Sequence, residues 1–312
     1  MTVSTAARYK PARPKLSVRG KDPYGRETAA AMSGTLEKFR GEPFRHILFL
    51  VHGYNNDEAF AAKNYSSFFD ILDSHLRRFP FDIDAIVDFH WPGNPAIDLG
   101  LLTPTIHYPY ALLNAQRSAA LLADFINKLP KPGPLPNSLK VSVVGHSMGC
   151  RLIMHALKTL AAPKMPELKC IGLMAAAVPV ELVNRNGALF VSGEAGKNIL
   201  KFFSTNDWVL RGMFPMGQKW SATFLDNGRP VESAYYREPV GLAGNPSGFA
   251  VPHPRPRNGH SDYWNDERVI QKILNFIDPR YAIPNDSHEL SSNTLLRHRL
   301  AAYAINGLTS IL

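Results

Sequence analysis

The stretch VSVVGHSMGCRLIMHAL, Val141 to Leu157, constrains this chain more than any other. An apolar run of strand length leads into a serine set between glycines, and RLIMHAL then carries apolar residues at helical spacing. A strand that turns directly into a helix is the building unit of an open sheet covered by helices. The serine at that turn, Ser147, is either a reactive side chain held in view or a small residue that fits a tight corner.

The same alternation recurs along the chain. HILFLV (His46 to Val51) reads as a short buried strand stopped by the turn signal HGYNND. Asp57 is placed to cap the following helix, DEAFAAKNYSSFFDILDSHL, whose apolar positions recur at three and four. FDIDAIVDFHW is the next strand, ended by Pro92-Gly93. Asn94 to Pro109 reads as irregular, with a helix from about Tyr110 that sets Ala111, Ala115, Leu122, Phe125 and Leu129 on one face. LKCIGLMAAAV and NILKFFSTND supply further strands, SATFLD a short one, and VIQKILNFI the last core helix. Strands alternating with helices predict an α/β fold, a mostly parallel sheet with helices on both faces. No linker of domain scale interrupts Phe44 to Asp278, so one domain, residues 29–282, is expected. A helical tail, residues 283–312, would dock on it.

With 45% hydrophobic and 20% charged residues the chain has the make-up of a soluble globular protein. No apolar run reaches the roughly 18 residues that a membrane span requires, and the first residues lack the apolar middle of a secretory signal; a cytoplasmic location is the expectation. Cys150 and Cys170 form no disulfide framework and read as buried thiols. The net charge of +9 is concentrated at the start, where residues 1–28 carry Arg8, Lys10, Arg13, Lys15, Arg19, Lys21 and Arg26 against Asp22 and Glu27. Prolines break up this stretch, which reads as a flexible basic arm. No recognition motif accompanies the charge, so a solvated arm is preferred to a nucleic-acid contact.

Gly145-His146-Ser147-Met148-Gly149 is a G-x-S-x-G pattern set between a strand and a helix, the context that a nucleophile elbow requires. A serine projected from such a turn is strained, and side chains two residues to either side would collide, which accounts for both glycines. The start of the following helix adds a positive dipole beside the serine. In these residues the sequence resembles the α/β-hydrolase fold family. VHGYNND looks like that family's His-Gly loop and VGHSMG its nucleophile elbow; together with FHWP they are similar to a subgroup of predicted serine hydrolases. The resemblance covers roughly Phe44 to Asp278. The family's strands before the His-Gly strand are not evident, so the sheet is expected to be trimmed at that edge.

The resemblance implies a nucleophile, an acid and a histidine in that order. Of the histidines after Ser147, His155 lies too far along its own helix, and His288 and His298 belong to the tail. His260 ends a loop immediately before the last helix and is the candidate base; His253, between prolines, is the second choice. Asp207, just past a strand end in KFFSTNDWVL, is the candidate acid, although an aspartate there also suits the N-cap of WVLRGMF. Glu181 is the alternative acid, and Asp262 is too close to His260. By resemblance the oxyanion hole is formed by the backbone N–H groups of Tyr54 and Met148. His52 is expected to hold its own loop, and His146 to pack in the elbow.

Trp91 to Tyr110 and Trp208 to Trp220 are rich in large apolar residues, and Trp91, Trp208 and Phe214 are candidate substrate contacts; the alternative is that these loops simply pack on the sheet. The implied activity is hydrolysis of a carboxylic ester with an apolar or lipid-like acyl group, without cofactor or metal. No H-E-x-x-H pair, Cys/His cluster or Gly-rich phosphate loop points elsewhere. An amidase, thioesterase or acyltransferase would use the same residues, and a binding protein would keep the fold without the reaction.

Overall fold

The computed structural model describes residues 11–19, 39, 44–78, 83–94, 103–130, 139–160, 166–191, 196, 198–226, 228–232, 234–243, 249–252 and 259–279. In chain order these form β1 (Lys15–Ser17), β2 (His46–Val51), α1 (Glu58–Arg78), β3 (Ala85–His90), α2 (Thr103–Lys128), β4 (Lys140–His146), α3 (Met148–Thr159), β5 (Glu167–Met174), β6 (Ile199–Phe203), α4 (Phe214–Thr223), β7 (Leu225–Asp226), β8 (Arg229–Pro230), β9 (Phe249–Pro252) and α5 (Glu267–Ile277).

Seven strands make one sheet in the order β1-β3-β2-β4-β5-β6-β9, and every pairing in it is parallel. Every residue of β2 and β3 is buried, as both faces of a parallel sheet must be when helices cover them. Each large aliphatic or aromatic side chain taken from water here contributes about 1.5–3 kcal/mol before the entropy of ordering it is subtracted. The helices group as α2 with α3 and α4, and α1 with α5. Asp57 Oδ1 accepts the N–H of Phe60 at the start of α1, the expected cap. Asp266 caps α5 in the same way, and Val269, Ile270, Ile273, Leu274 and Ile277 form its buried stripe.

The chain enters the middle of the sheet at β2, moves outward to β3, then crosses back to β4 on the other side of β2. That reversal opens a crevice between the C-terminal ends of β2 and β4, where ligands of such sheets bind. The loop after β2 and the turn after β4 therefore share one edge.

Four features differ from the sequence reading. Residues 11–19 are not an independent arm: Leu16 and Val18 are fully buried, and β1 pairs with β3 through Lys15–Asp88, Leu16–Phe89 and Ser17–His90. The sheet therefore has a further strand at the edge expected to be trimmed. α2 begins at Thr103 and carries Pro109 inside it; burial of Tyr108, Ala111 and Leu112 outweighs the donor that proline removes. In SATFLD the helix α4 runs to Thr223, and the strand is confined to Leu225–Asp226, paired antiparallel with β8. The tail 283–312 and His253 lie outside the described residues. No described helix is long and apolar enough to cross a membrane.

Candidate active site

Ser147 stands between β4 and α3 with φ 54° and ψ −122°, a conformation that non-glycine residues rarely adopt. Asn55 after β2 and Ala175 after β5 also have positive φ, so the three non-glycine positions with positive φ among the described residues lie at the same sheet edge. The elbow is braced from its neighbour: Ser147 donates its N–H to Met174 O at 2.9 Å, and its carbonyl accepts from Ala177 at 3.1 Å. The glycines have separate steric reasons. A Cβ on Gly145 would stand 2.5 Å from Ile153 Cδ1, and one on Gly149 only 2.3 Å from His52 O. Gly149 thus lets α3 approach the loop after β2.

Asp207, 1% exposed, follows β6 and uses its two carboxylate oxygens differently. Oδ2 accepts from His260 Nδ1 at 2.7 Å, while Oδ1 accepts the N–H of Leu210 at 2.9 Å. One oxygen thus meets the His260 imidazole while the other caps the turn that follows. Glu181 is exposed on the helical turn Val180–Val183. Asp262 Oδ2 accepts from Gly259 N at 2.7 Å and so shapes the turn that carries His260.

His146 does more than pack. Its Nε2–H donates to His260 O at 2.6 Å, and the two rings are 4.8 Å apart. Burial, then the proximity of His260, lowers its pKa to about 3, so it remains a neutral donor. This bond fixes the backbone of His260 directly beside the elbow, because His146 precedes Ser147. The Ser147 hydroxyl and the His260 ring are not hydrogen-bonded in this conformation; such contacts commonly tighten only around substrate.

The loop His52-Gly53-Tyr54 is held from three sides. His52 Nδ1–H donates to Gly53 O at 2.9 Å, and its Nε2 accepts from Trp91 N at 3.2 Å. Trp91 Nε1 donates to His52 O at 2.8 Å, with the two rings stacked at 5.5 Å. Tyr65 O–H bridges His52 N and Phe89 O, at 2.6 Å to each. Arg19, just past β1, donates to Asn56 O at 2.7 Å and lies 3.4 Å from His52 Nε2. Burial first, then the Arg19 charge, holds the His52 pKa well below its ordinary value. A Cβ on Gly53 would meet His146 Nδ1 at 2.9 Å and Ser147 Cβ at 3.0 Å, so only glycine brings this loop against the elbow.

Residues 28–211 match the model of a family described as alpha/beta hydrolase of unknown function (DUF900). The chain belongs to this α/β-hydrolase family. The matched span holds Ser147 and Asp207, whereas His260 lies beyond it. One relative, the uncharacterized protein alr1448 of Nostoc sp. (strain PCC 7120 / SAG 25.82 / UTEX 2576), is 29% identical over 136 residues. That alignment covers 38% of this chain and 33% of the relative, so the chain spans about a third of the relative's length.

In this α/β-hydrolase, Ser147, Met148, Tyr54, Tyr108, Leu210 and Phe214 line one cavity, with about 420 Å³ of space including its open mouth. Phe214 is the one candidate substrate contact that the structure brings to it. Trp91 is fully buried against His52, and Trp208 points outward, 64% exposed. Their sequence surroundings are alike in composition, and only tertiary packing separates them. Tyr108 lies in the apolar stretch Trp91 to Tyr110 but does not stand out there, because Pro109 masks the helix that presents it; its OH accepts from Gln218 Nε2 at 3.1 Å. Arg19 was hidden in what read as an arm. Among the described residues no three His, Cys, Asp or Glu side chains are grouped to hold a metal ion.

Proposed function

We propose that this α/β-hydrolase is a serine hydrolase that cleaves a carboxylic ester with an apolar acyl group. The observation that carries the reading is the 2.7 Å pair of Asp207 Oδ2 and His260 Nδ1, anchored by His146 next to a strained Ser147. Asp207 fixes the tautomer in which Nδ1 carries the proton, and Nε2 becomes the acceptor. His260 takes the Ser147 proton as Oγ bonds to the ester carbon, and the carbonyl electron pair moves onto oxygen. The N–H groups of Tyr54 and Met148 hold that oxyanion; Met148 is the first residue of α3, where N–H groups have no intrahelical acceptor. As the carbonyl re-forms, the bond to the alcohol oxygen breaks, and His260 returns the proton to the departing alcohol. Water, deprotonated by the same imidazole, then releases the acid from Ser147. The apolar walls, Leu210, Phe214 and Met148, support an apolar acyl group rather than a charged one.

The test is labelling of the folded protein with a fluorophosphonate probe and mapping of the modified peptide. Modification at Ser147 that is abolished in Ser147→Ala is the expected result. A folded protein that stays unmodified favours the second reading, a binding protein with a hydrolase fold.

A further inference from the structure

The segment from Trp208 to Thr223 is a π-helical turn, Val209–Met213, running directly into α4. Leu210, Phe214, Gly217, Gln218 and Ser221 form its inner side and are buried. The opposite positions recur at the same spacing of three and four. Trp208, Arg211, Met216, Lys219, Trp220 and Thr223 are all exposed. Trp208 is 64%, Met216 58% and Trp220 44% exposed, and Leu225 follows at 58%. Tyr110, 46% exposed, extends the patch from α2 through its edge contact with Phe224 at 4.9 Å. An outward helical face ordinarily carries small polar and charged residues; here two tryptophans and a methionine share it with Arg211, Lys219 and Thr223.

The charges around the patch identify what it suits. Within Trp208–Thr223 itself the ionic residues are Arg211 and Lys219, both exposed, and the segment holds no carboxylate. Two tryptophans and a methionine interleaved with cations match a bilayer surface, where indole rings settle at headgroup depth and cations meet anionic lipids. A second copy of this chain would bring the same cations face to face, which disfavours self-association.

We infer that the outward face of Trp208–Thr223 docks this protein on an anionic lipid surface. The inner side of the same turns supplies Leu210 and Phe214 to the cavity with Ser147, so docking sets the cavity wall about one helix diameter, roughly 10 Å, from the lipid. That the lipid also feeds the cavity rests on the hydrolase reading; the docking itself does not.

Full-length protein is mixed with vesicles of phosphatidylcholine alone, or with phosphatidylserine at about a third of the lipid. Sedimentation and tryptophan emission are followed. The expected result is binding to the anionic vesicles, weakened by salt, with an emission blue-shift. Met216→Ser/Trp220→Ser lowers the affinity at least roughly tenfold, and Lys219→Glu about fivefold. Fluorophosphonate labelling of the double variant, read separately, stays at the wild-type rate. No vesicle binding by a protein whose Ser147 is labelled overturns the docking inference and leaves the hydrolase reading intact. Vesicle binding without labelling supports the docking and removes the hydrolase reading. Dimerisation that the double variant abolishes, without vesicle binding, overturns the inference in favour of a second copy.

Discussion

Asp207 shows how much one side chain can determine here, because its two oxygens serve different partners. Asp207→Asn retains an oxygen for the Leu210 cap but loses the carboxylate that orients the imidazole. The kcat of the proposed ester hydrolysis should fall by roughly 10⁴-fold with little change in the urea midpoint. Asp207→Ala should match that loss of activity and also lower stability by about 1 kcal/mol, because the cap is gone. Equal stability of the two variants would show that the cap contributes nothing. The glycines permit a second comparison at this scale. Gly149→Ala places a methyl 2.3 Å from His52 O, against backbone that cannot yield cheaply, and should cost about 1–3 kcal/mol in denaturant melts. Gly212, with nothing within 4 Å of its built Cβ, should accept alanine with no loss.

At the scale of elements, β1 matters because it brings cations to fixed partners. Arg13 pairs with Asp88 at 2.9 Å, Lys15 with Glu58, and Arg19 holds the loop after β2 through Asn56 O. Part of the charge that read as a free arm is thus committed within the fold. Because Arg19 touches the proposed oxyanion loop rather than the reacting atoms, it is a positioning residue. Arg19→Met should lower kcat roughly ten- to a hundredfold while KM changes little, with the circular dichroism spectrum retained. A rise in KM at constant kcat would place Arg19 in substrate binding instead. Element boundaries were legible where caps and periodicity agreed, as at Asp57 and along Val269–Ile277. They were not legible at Pro109, where packing against α4 overrides the local rule: a Cβ on Gly217 would stand 2.6 Å from the Tyr108 ring.

Across the whole molecule, burying histidines in the neutral form ties stability to pH. Burial, foremost, lowers the pKa of His46 to about 4 and that of His146 to about 3. Both are depressed relative to the unfolded value of about 6.5. Above that pH neither state binds the proton and the contribution is complete. As pH falls through the window from about 6.5 to the folded values, the unfolded chain takes up protons that the folded chain refuses. Stability then declines by about 1.4 kcal/mol per pH unit for each histidine. Urea midpoints should therefore drop as pH falls from about 6.5 to about 5, and His46→Gln should flatten the slope by about one proton. An unchanged slope in that variant would mean that His46 titrates normally in the fold.

The sequence by itself determined what local chemistry enforces. The strand–serine–helix turn, the buried strands and the helix caps each depend on residues within a few positions of one another, so periodicity and steric rules reveal them. The placement of His260 past a loop and of Asp207 past a strand followed from chain order in the resembled family. Only the tertiary structure decided which of two similar tryptophans is core and which faces outward, that residues 11–19 complete the sheet, and that His146 holds His260. Those outcomes depend on contacts between residues 33 to 114 positions apart, as in Arg19 with His52 and His146 with His260. No local pattern encodes such contacts, because their free energy is realised only once the sheet has brought the strand ends together.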